Sequence, residues 1–469
     1  ITTLLKERYR MEQITKPHCG ARLDRLPDCR WHSSMFAIVA FGLLVCWSNA
    51  VGGLILAQLK ELGWTDNSTT ATFSAITTAG MFLGALVGGI IGDKTGRRNA
   101  FILYEAIHIA SMVVGAFSPN MDFLIACRFV MGVGLGALLV TLFAGFTEYM
   151  PGRNRGTWSS RVSFIGNWSY PLCSLIAMGL TPLISAEWNW RVQLLIPAIL
   201  SLIATALAWR YFPESPRWLE SRGRYQEAEK VMRSIEEGVI RQTGKPLPPV
   251  VIADDGKAPQ AVPYSALLTG VLLKRVILGS CVLIAMNVVQ YTLINWLPTI
   301  FMTQGINLKD SIVLNTMSMF GAPFGIFIAM LVMDKIPRKT MGVGLLILIA
   351  VLGYIYSLQT SMLLITLIGF FLITFVYMYV CYASAVYVPE IWPTEAKLRG
   401  SGLANAVGRI SGIAAPYAVA VLLSSYGVTG VFILLGAVSI IVAIAIATIG
   451  IETKCVSVES LSIDAVVNK

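Results

Sequence analysis

The sequence predicts an all-α membrane protein with about twelve transmembrane helices in two pseudo-symmetric bundles of six. Its mean hydropathy is +0.69 and only 13% of its residues are charged, whereas a soluble domain carries about 25% charged residues. A charged motif at residues 93–98 returns at 334–339, 241 positions later. Duplicated halves of a membrane chain usually enclose a substrate site at their interface.

Twelve stretches have the length for a transmembrane helix, which needs about 20 mainly apolar residues. They are residues 35–59, 72–92, 99–117, 121–147, 159–185 and 191–212 in the first half, and 273–302, 311–333, 340–357, 361–388, 401–424 and 428–450 in the second. The chain therefore divides into an amino-terminal tail, two bundles, a charged linker with short helices and a second tail: 1–34, 35–212, 213–272, 273–450 and 451–469.

The distribution of basic residues sets the expected orientation. If both termini are cytoplasmic, nearly all of the 36 Lys and Arg fall on the inner side, as the positive-inside rule requires. This topology explains the net charge of +10 without nucleic-acid binding. We therefore expect a multi-pass protein of a bacterial inner (plasma) membrane, with the lipid bilayer as its surroundings.

The sequence lacks the residue patterns that metal-binding proteins, disulfide-bonded proteins and enzymes require. Five of the eight cysteines lie in apolar stretches and no CxxC spacing occurs, which disfavours a disulfide framework or a metal site. The sequence offers no nucleophile–base set and no phosphate loop preceded by a strand. We expect no enzyme activity and no bound cofactor or metal.

Four motifs resemble those of a known transporter family. Residues 89–98 resemble the signature loop of the major facilitator superfamily, and residues 213–219 resemble the signature of its sugar-porter and organic-ion-transporter branch. Residues 128–136 and 389–394 fit the same branch, and residues 22–27 resemble the leader of bacterial metabolite permeases related to niacin permeases. The resemblance implies a monomer that works by alternating access, with proton symport as the expected coupling.

Charged residues at the predicted inner ends form an acid–base set in each half. The first comprises Asp93, Arg97, Arg98, Glu148, Arg155, Glu214 and Arg217, and the second comprises Asp334, Arg338, Glu390 and Arg399. In the family that the chain resembles, such sets latch the two halves when the cytoplasmic side is closed. The alternative is a simple topology anchor, because a surface pair contributes only ~0–1 kcal/mol. Pro337 stands where the first copy has a glycine, so we expect an asymmetric latch.

Arg409 is the strongest candidate for substrate binding. A charge at the bilayer centre costs at least ~2.5–3.5 kcal/mol and is functional by default, and the guanidinium fork matches a carboxylate. The stretch 405–417 resembles the eleventh helix of organic-anion transporters, in which an arginine stands at this place. An internal pair with Glu105, or a bond to a helix-end carbonyl, is the alternative.

Three further ionisable residues are expected inside the membrane. In the proton-coupled sugar porters that the chain resembles, the arginine corresponding to Arg128 faces an acid on the first helix, but residues 46–51 contain none. Arg128 can contact substrate, bond to Ser48 or Asn49, or satisfy backbone carbonyls. Glu105 and His108 have i, i+3 spacing and can touch, and burial favours a neutral carboxyl. They are candidate proton carriers, or else partners of cytoplasmic arginines.

Polar and aromatic residues within apolar helices outline the expected cavity. Rings combined with one arginine suit a flat anion, and Asn287-Val-Val-Gln290 replaces the paired glutamines that are usual in sugar porters. Some of these aromatics can instead belong to an interfacial belt. Besides Arg409 and Arg128, the candidate substrate ligands are Trp47, Asn49, Asn167, Trp168, Asn287, Gln290, Tyr291, Asn295, Tyr382 and Asn405.

Together these features predict a secondary active transporter for a small organic anion, such as an aromatic or other carboxylate, with possible symport of protons. A sugar or sugar-acid permease is the alternative within transporters. A metabolite sensor that does not transport is the alternative of another class, although the sequence has no attached signalling domain.

Overall fold

The computed structural model describes residues 17–27, 29–43, 46–150, 155–250, 263–333, 335–392 and 396–453. Within these ranges every regular element is helical. Ten helical spans of the described residues are long and apolar enough to cross a bilayer. The predicted fold class, an all-α membrane protein, is therefore confirmed.

The helices of the first half follow the predicted order with two interruptions. The first predicted segment, 35–59, is divided into three helices, and the fifth, 159–185, is divided into two helices at Trp168. The elements are α1 (Cys19–Asp24), α2 (Arg30–Leu43), α3 (Trp47–Ala50), α4 (Gly52–Glu61), α5 (Asn67–Thr95), α6 (Arg97–Ala116), α7 (Met121–Tyr149), α8 (Arg155–Asn167), α9 (Ser169–Leu180) and α10 (Ala186–Tyr211).

The second half differs from the prediction at segment 311–333, which is divided into two helices at Phe320. The last two predicted segments, 401–424 and 428–450, are both present and meet at a kink within the last helical element, where Gly427 departs from helical geometry with φ 65° and ψ −160°. The elements are α13 (Tyr264–Leu267), α14 (Gly270–Thr303), α15 (Leu308–Met319), α16 (Gly321–Val332), α17 (Arg338–Ser357), α18 (Met362–Cys381), a π-helical turn (Tyr382–Tyr387), α19 (Val388–Glu390) and α20 (Lys397–Ile449).

Glycines explain the close packing of α5 on α7. A Cβ added at Gly80 would overlap the carbonyl of Phe129, and one at Gly136 would overlap the carbonyl of Met81. Small residues allow transmembrane backbones to approach in this way. The pattern Gly132-x-Gly134-x-Gly136 of α7 is thus a helix-packing motif.

The linker and the amino-terminal tail form a small unit of their own. The linker supplies α11 (Pro216–Ser221) and the amphipathic α12 (Tyr225–Thr243), and these bury an apolar core together with α1. Arg22 Nη2 pairs with Glu236 Oε2 at 2.7 Å, and Arg217 Nη2 pairs with Asp24 Oδ1 at 3.0 Å. The leader motif at residues 22–27 therefore docks on the linker, which the sequence had not indicated.

Candidate functional site

The backbones of the two halves come into close contact near the predicted outer end. A Cβ added at Gly53 of α4 would lie 2.5 Å from the carbonyl oxygen of Ile294 and 2.9 Å from that of Asn295, both in α14. We call the approach of Gly52 and Gly53 to Ile294 and Asn295 the outer contact. Glycine is needed at position 53 because any side chain would push the two backbones apart.

Polar and aromatic contacts extend the junction of the two halves. The amide of Asn315 in α15 donates to Ser174 Oγ of α9 at 3.0 Å, and both residues are buried. The rings of Tyr170 in α9 and Tyr377 in α18 are 5.4 Å apart, centre to centre. The halves are therefore held together by side chains as well as by close backbone approach.

Arg409 lies in the stretch of α20 that packs against both halves. A Cβ at Gly408 would be 3.0 Å from Asn287 Nδ2. At Gly412, one turn further, it would be 3.2 Å from Tyr291 Cδ2 and 3.4 Å from Thr78 Cγ2 of α5 in the first half. The Arg409 side chain is half-buried, and its Nη1 is buried without a hydrogen-bond partner among the described residues.

Several predicted cavity residues share this neighbourhood. Asn287, Gln290 and Tyr291 follow one another along α14, and Gln290 and Tyr291 are half-buried. The phenol of Tyr377 faces Gln290 and Tyr170. The sequence had not singled out Thr78, although Ser74, Thr77 and Thr78 form a run of buried hydroxyls on α5.

Other predicted ligands lie elsewhere. Tyr382 is fully buried within the second half, where its ring stacks on Tyr387 at 5.0 Å. Asn405 is exposed and donates to the carbonyl of Ser401. Trp47 and Asn49 lie in α3, at the break of the first helix. Asn295 lies at the outer contact, and Asn167 is the last residue of α8.

Trp168 occupies the break between α8 and α9 and remains 36% exposed. Its ring contacts Phe320 of the second half at 6.3 Å between centroids. It belongs to the seam between the halves.

Arg128 is held by the first helix. Its side chain is 2% exposed, and Nη1 donates to the carbonyl of Ser48 at 2.8 Å. The guanidinium carbon lies 4.7 Å from the ring centroid of Phe73, a favourable cation–π arrangement. The sequence left several partners of Arg128 open. The structure shows a hydrogen bond to a backbone carbonyl, that of Ser48.

Glu105 and His108 are both fully buried near the middle of α6. Neither carboxylate oxygen and neither ring nitrogen has a hydrogen bond within the described part of the chain. The alternative that these two residues pair with the arginines at the inner end is therefore not observed. An internal pair of Glu105 with Arg409 is likewise not observed among the described contacts.

The first inner cluster, formed by Asp93, Arg97, Glu148 and Glu214, joins three helices of the first half, α5, α6 and α7, to the start of the linker. Arg97 bonds to Asp93 Oδ1 at 2.8 Å and to Glu148 Oε1 at 2.8 Å. Glu214 Oε1 accepts the backbone N–H of Arg97 at 2.6 Å and so caps α6. Gly96 is needed here because its φ is 95° and because a Cβ would overlap the Glu214 carboxylate.

The linker covers this cluster. Trp218 Nε1 and Arg222 Nη2 both donate to the Asp93 carbonyl, at 2.7 and 2.6 Å. Arg98 donates to Glu214 through its backbone and to the Trp209 carbonyl through its side chain. Burial raises the pKa of Glu214 above its ordinary value, although three backbone N–H groups donate to it. Arg217 is turned away toward Asp24.

The second inner cluster, formed by Arg338, Glu390 and Glu452, repeats this plan in the second half. Arg338 Nε pairs with Glu390 Oε2 at 3.1 Å, and Glu452 Oε1 accepts the Arg338 backbone N–H at 2.8 Å. Glu452 is the repeat of Glu214 that caps α17. The described ion pairs of each cluster join residues of one half.

Three predicted members of the latch have other outcomes. Asp334 lies outside the described residues, and Arg155 begins α8 with a side chain that is not described. Arg399 lies with its guanidinium carbon 5.2 Å from the ring centroid of Tyr264. The role of all these residues as a latch between the halves stays a prediction.

Comparison with known proteins identifies the family. The family profile described as Major Facilitator Superfamily matches residues 36–416. The chain is 99% identical over 459 residues to "Putative metabolite transport protein YdjK" of Escherichia coli K12, covering 98% of this chain and 100% of that protein. It is 25% identical to "Niacin transporter NiaP" of Acinetobacter baylyi, covering 94% and 99% of the two chains.

The fold also matches a solved structure. The xylose transporter XylE of Escherichia coli, in a partially occluded inward-open conformation, superposes with a TM-score of 0.72 at 18% identity, over 91% of this chain and 100% of that chain. The chain belongs to the Major Facilitator Superfamily, as the signature motifs indicated, and is a metabolite transporter of that family.

Proposed function

We propose that this member of the superfamily is a secondary active transporter that moves a small organic anion, an aromatic or other carboxylate, across the bacterial inner membrane by alternating access. The observation that carries the proposal is Arg409: its Nη1 is buried without a hydrogen-bond partner in the part of the chain that the structure describes, in a stretch that packs against both halves. A carboxylate can supply the missing acceptors in a bidentate pair.

The chain provides no acidic partner on the helices around Arg409. Neither α14 nor α20 contains an Asp or Glu, and α5 contains only Asp93, near its inner end. A cation at membrane depth needs a partner or a wet cavity. An anionic substrate that enters between the halves supplies this partner each time it binds. Neutralising the charge of Arg409 therefore contributes to the binding energy.

Aromatic groups complete the chemistry of the proposed site. Tyr291 lies against Gly412, and Tyr377 and Tyr170 meet beside Gln290. Rings offer apolar faces to a flat substrate, while the amide and phenol groups fix its orientation. The name of the related niacin transporter, whose substrate is an aromatic carboxylate, favours the same class.

A sugar or sugar acid is the second candidate. The fold match to the xylose transporter and the amides Asn287 and Gln290 favour it. Arg409 favours an acid over a neutral sugar because a neutral molecule leaves the guanidinium charge uncompensated. A sensor that binds the same anion without transport is the third candidate.

The arrangement of contacts supports an alternating-access cycle. The halves are closed at the outer contact, whereas each described inner cluster has its ion pairs within one half. We assign the described state to a protein open toward the inner side, with both termini cytoplasmic. Closing that side would bring the two clusters together as a latch, and proton symport would supply the driving force. We propose that a single chain completes this cycle.

The test is ligand-induced stabilisation of the purified protein. Nicotinate, benzoate, xylose and choline are added separately, and the thermal unfolding midpoint is measured for the wild type and for Arg409→Gln. A ligand at 100 times its Kd stabilises the folded state by about 2.7 kcal/mol. We expect the two carboxylates to raise the midpoint of the wild type and to lose this effect in Arg409→Gln.

Arg191→Gln is the matched control, because Arg191 lies on α10 and bonds to the carbonyl of Ala116, away from the proposed site. It should leave the carboxylate effect unchanged. Stabilisation by xylose alone, equal in wild type and Arg409→Gln, would exclude the anion assignment and leave the sugar candidate.

A further inference from the structure

The interior of the first half contains one carboxyl and one imidazole that the proposed substrate site does not use. Glu105 and His108 have zero exposure, and all four of their side-chain polar atoms lack a hydrogen bond among the described residues. Buried polar groups are nearly always paired, and each exception needs a physical reason. Glu105 is eight residues after the start of α6 at Arg97, about 12 Å along the helix.

The neighbours of this pair are few and can be named. The helices α5, α7 and α10 pack against α6. The interior of α5, residues 68–92, and that of α10, residues 192–209, contain no titratable side chain. From α10, the Ser201 hydroxyl faces Glu105. From α7, Arg128 acts on His108, and Cys127 is the other titratable residue of that helix interior.

A small cavity lies near the inner end of the first half. It is lined by Arg97, Phe101, Thr141 and Ala208, among others, but not by Glu105 or His108. Its size suffices for about one water molecule. Phe101 is one helical turn before Glu105 on the same face of α6, so the cavity lies between the first inner cluster and the buried pair.

On its other side, the pair reaches the first helix through Arg128. His108 lies against α7, where a Cβ at Gly134 would be 3.2 Å from His108 Cβ, and Arg128 bonds to the Ser48 carbonyl at the break between α3 and α4. Polar groups therefore continue from His108 through Arg128 to Ser48. Charge changes along such a line act strongly because the local dielectric constant is low.

We propose that Glu105 and His108 form a proton-binding pair, which loads and releases one proton during the cycle of the transporter proposed above. The proton comes from water at the inner end, binds to a carboxylate oxygen of Glu105 or a ring nitrogen of His108, and returns to water; no other bond changes. The role of the proton in transport rests on the proposed function, but its binding to this pair does not.

The pair has a direct effect on Arg128. With Glu105 ionised and His108 neutral, the three side chains have no net charge, since the guanidinium is balanced by the carboxylate. Adding one proton gives the group a charge of one positive unit. Proton binding thus adds a positive charge to the group in which His108 interacts with Arg128. Because Arg128 holds the break of the first helix, this links proton binding to the outer end.

The experiment uses dicyclohexylcarbodiimide on the full chain in phosphatidylethanolamine–phosphatidylglycerol vesicles. This reagent enters apolar regions and reacts only with a carboxyl that carries a proton, because that proton moves to the reagent as the carboxyl oxygen bonds to its carbon. Labelling of Glu105 is measured by peptide mass spectrometry over a pH series. We expect labelling that falls about tenfold for each pH unit above the titration point.

His108→Gln distinguishes a proton-binding role of the pair from a purely structural one through the pH at which labelling of Glu105 falls. The substitution is close in size and leaves Glu105 in place, so the pH at which labelling falls should shift because the second proton acceptor is gone. Glu105→Gln should remove the label while retaining the thermal unfolding midpoint, which shows that the fold is intact. Glu148, which pairs with Arg97, should remain unlabelled.

Absence of label on Glu105 at every pH overturns the proposal, and so does labelling that is independent of both pH and His108→Gln. Either result identifies a group that exchanges no proton with water. No substrate is present in this experiment, so its failure leaves the proposed role of Arg409 untouched, and failure of the carboxylate test leaves the proton pair untouched.

Discussion

The two arginines inside the membrane have opposite surroundings. Arg128, in the first half, is 2% exposed, donates to Ser48 and lies over the Phe73 ring. Arg409, in the second half, is half-buried and keeps Nη1 without a partner among the described residues. The two positions look alike in the sequence, as single cations in apolar helices. The difference shows that local contacts decide which buried charge belongs to the fold and which can receive a ligand.

The outer contact separates these two environments. A Cβ at Gly52 would be 2.8 Å from Arg128 Nη2, so Arg128 lies directly behind the contact. Arg409 lies in α20 next to Gly408, which packs against Asn287, and three residues before Gly412, which packs against Tyr291 and Thr78.

Gly53→Leu has the largest expected effect. The new side chain meets the carbonyls of Ile294 and Asn295, and such overpacking costs about 1–3 kcal/mol, enough to lower the population of the closed outer contact about tenfold or more. Hydrogen–deuterium exchange at residues 47–61 should increase accordingly. Gly344→Leu is the control, because nothing lies within 4 Å of a Cβ there. Unchanged exchange in Gly53→Leu would show that the contact does not hold the outer end.

Arg128→Ala should destabilise the fold by about 3 kcal/mol. The Ser48 carbonyl loses its donor, and truncation leaves a cavity beside Phe73. Chemical unfolding of the detergent-solubilised protein measures the change. Arg409→Ala should cost less than about 1 kcal/mol, since the side chain has no described hydrogen bond at Nη1. Equal losses for the two variants would remove the distinction between a structural and a binding arginine.

The inner clusters allow a finer comparison of the halves. Glu214 accepts from Arg97, Arg98 and Ser215 through Oε1 alone, whereas Glu452 uses Oε1 for Arg338 and Oε2 for Lys339. A glutamine can keep one oxygen acceptor but not two. Glu452→Gln should therefore cost about 1–2 kcal/mol and Glu214→Gln about half as much, measured by chemical unfolding. The reverse order would contradict the geometry.

The smallest effect is expected at the docked tail. Burial opposes ionisation of Glu229 and Glu236, but hydrogen bonds from Arg22 outweigh it and hold the pKa of both carboxyls below the ordinary value. A lowered pKa contributes stability above the unfolded-state pKa of about 4.3, and this contribution is lost as the pH falls through the folded-state pKa. Exchange in α12 should rise over that acid range, and Arg22→Gln should weaken the dependence, because Arg233 still pairs with Glu229 and Arg25 with Glu236. If exchange in α12 of the wild type did not depend on pH, the ion pairs of Arg22 with Glu229 and Glu236 would be excluded.

Much of the architecture could be predicted from the sequence because it depends on local composition. Apolar length gives the helices, and the repeat of residues 93–98 at 334–339 indicates the two halves. The boundary between the last two segments could also be predicted, since α20 is kinked at Gly427, between 401–424 and 428–450. The breaks at Trp168 and Phe320 could not be predicted, since they depend on tertiary packing.

The site could be predicted only in part. Arg409 and its neighbours on α14 follow from charge and polarity within apolar helices. The burial of Tyr382 away from the junction depends on the π-helical turn that begins there, because one extra residue per turn changes the face on which a side chain lies. The docking of Arg22 on α12 depends on an ion pair across more than 200 positions of the chain, which no local pattern contains.

Uptake by reconstituted vesicles tests the central claim most directly. Radiolabelled nicotinate and xylose are supplied separately outside vesicles that contain the wild type or Arg409→Gln, with the outer solution acidified. The account predicts that the wild type accumulates nicotinate, that it does not accumulate xylose, and that Arg409→Gln accumulates neither. Accumulation of xylose by the wild type, or of nicotinate by Arg409→Gln at the wild-type rate, would contradict it.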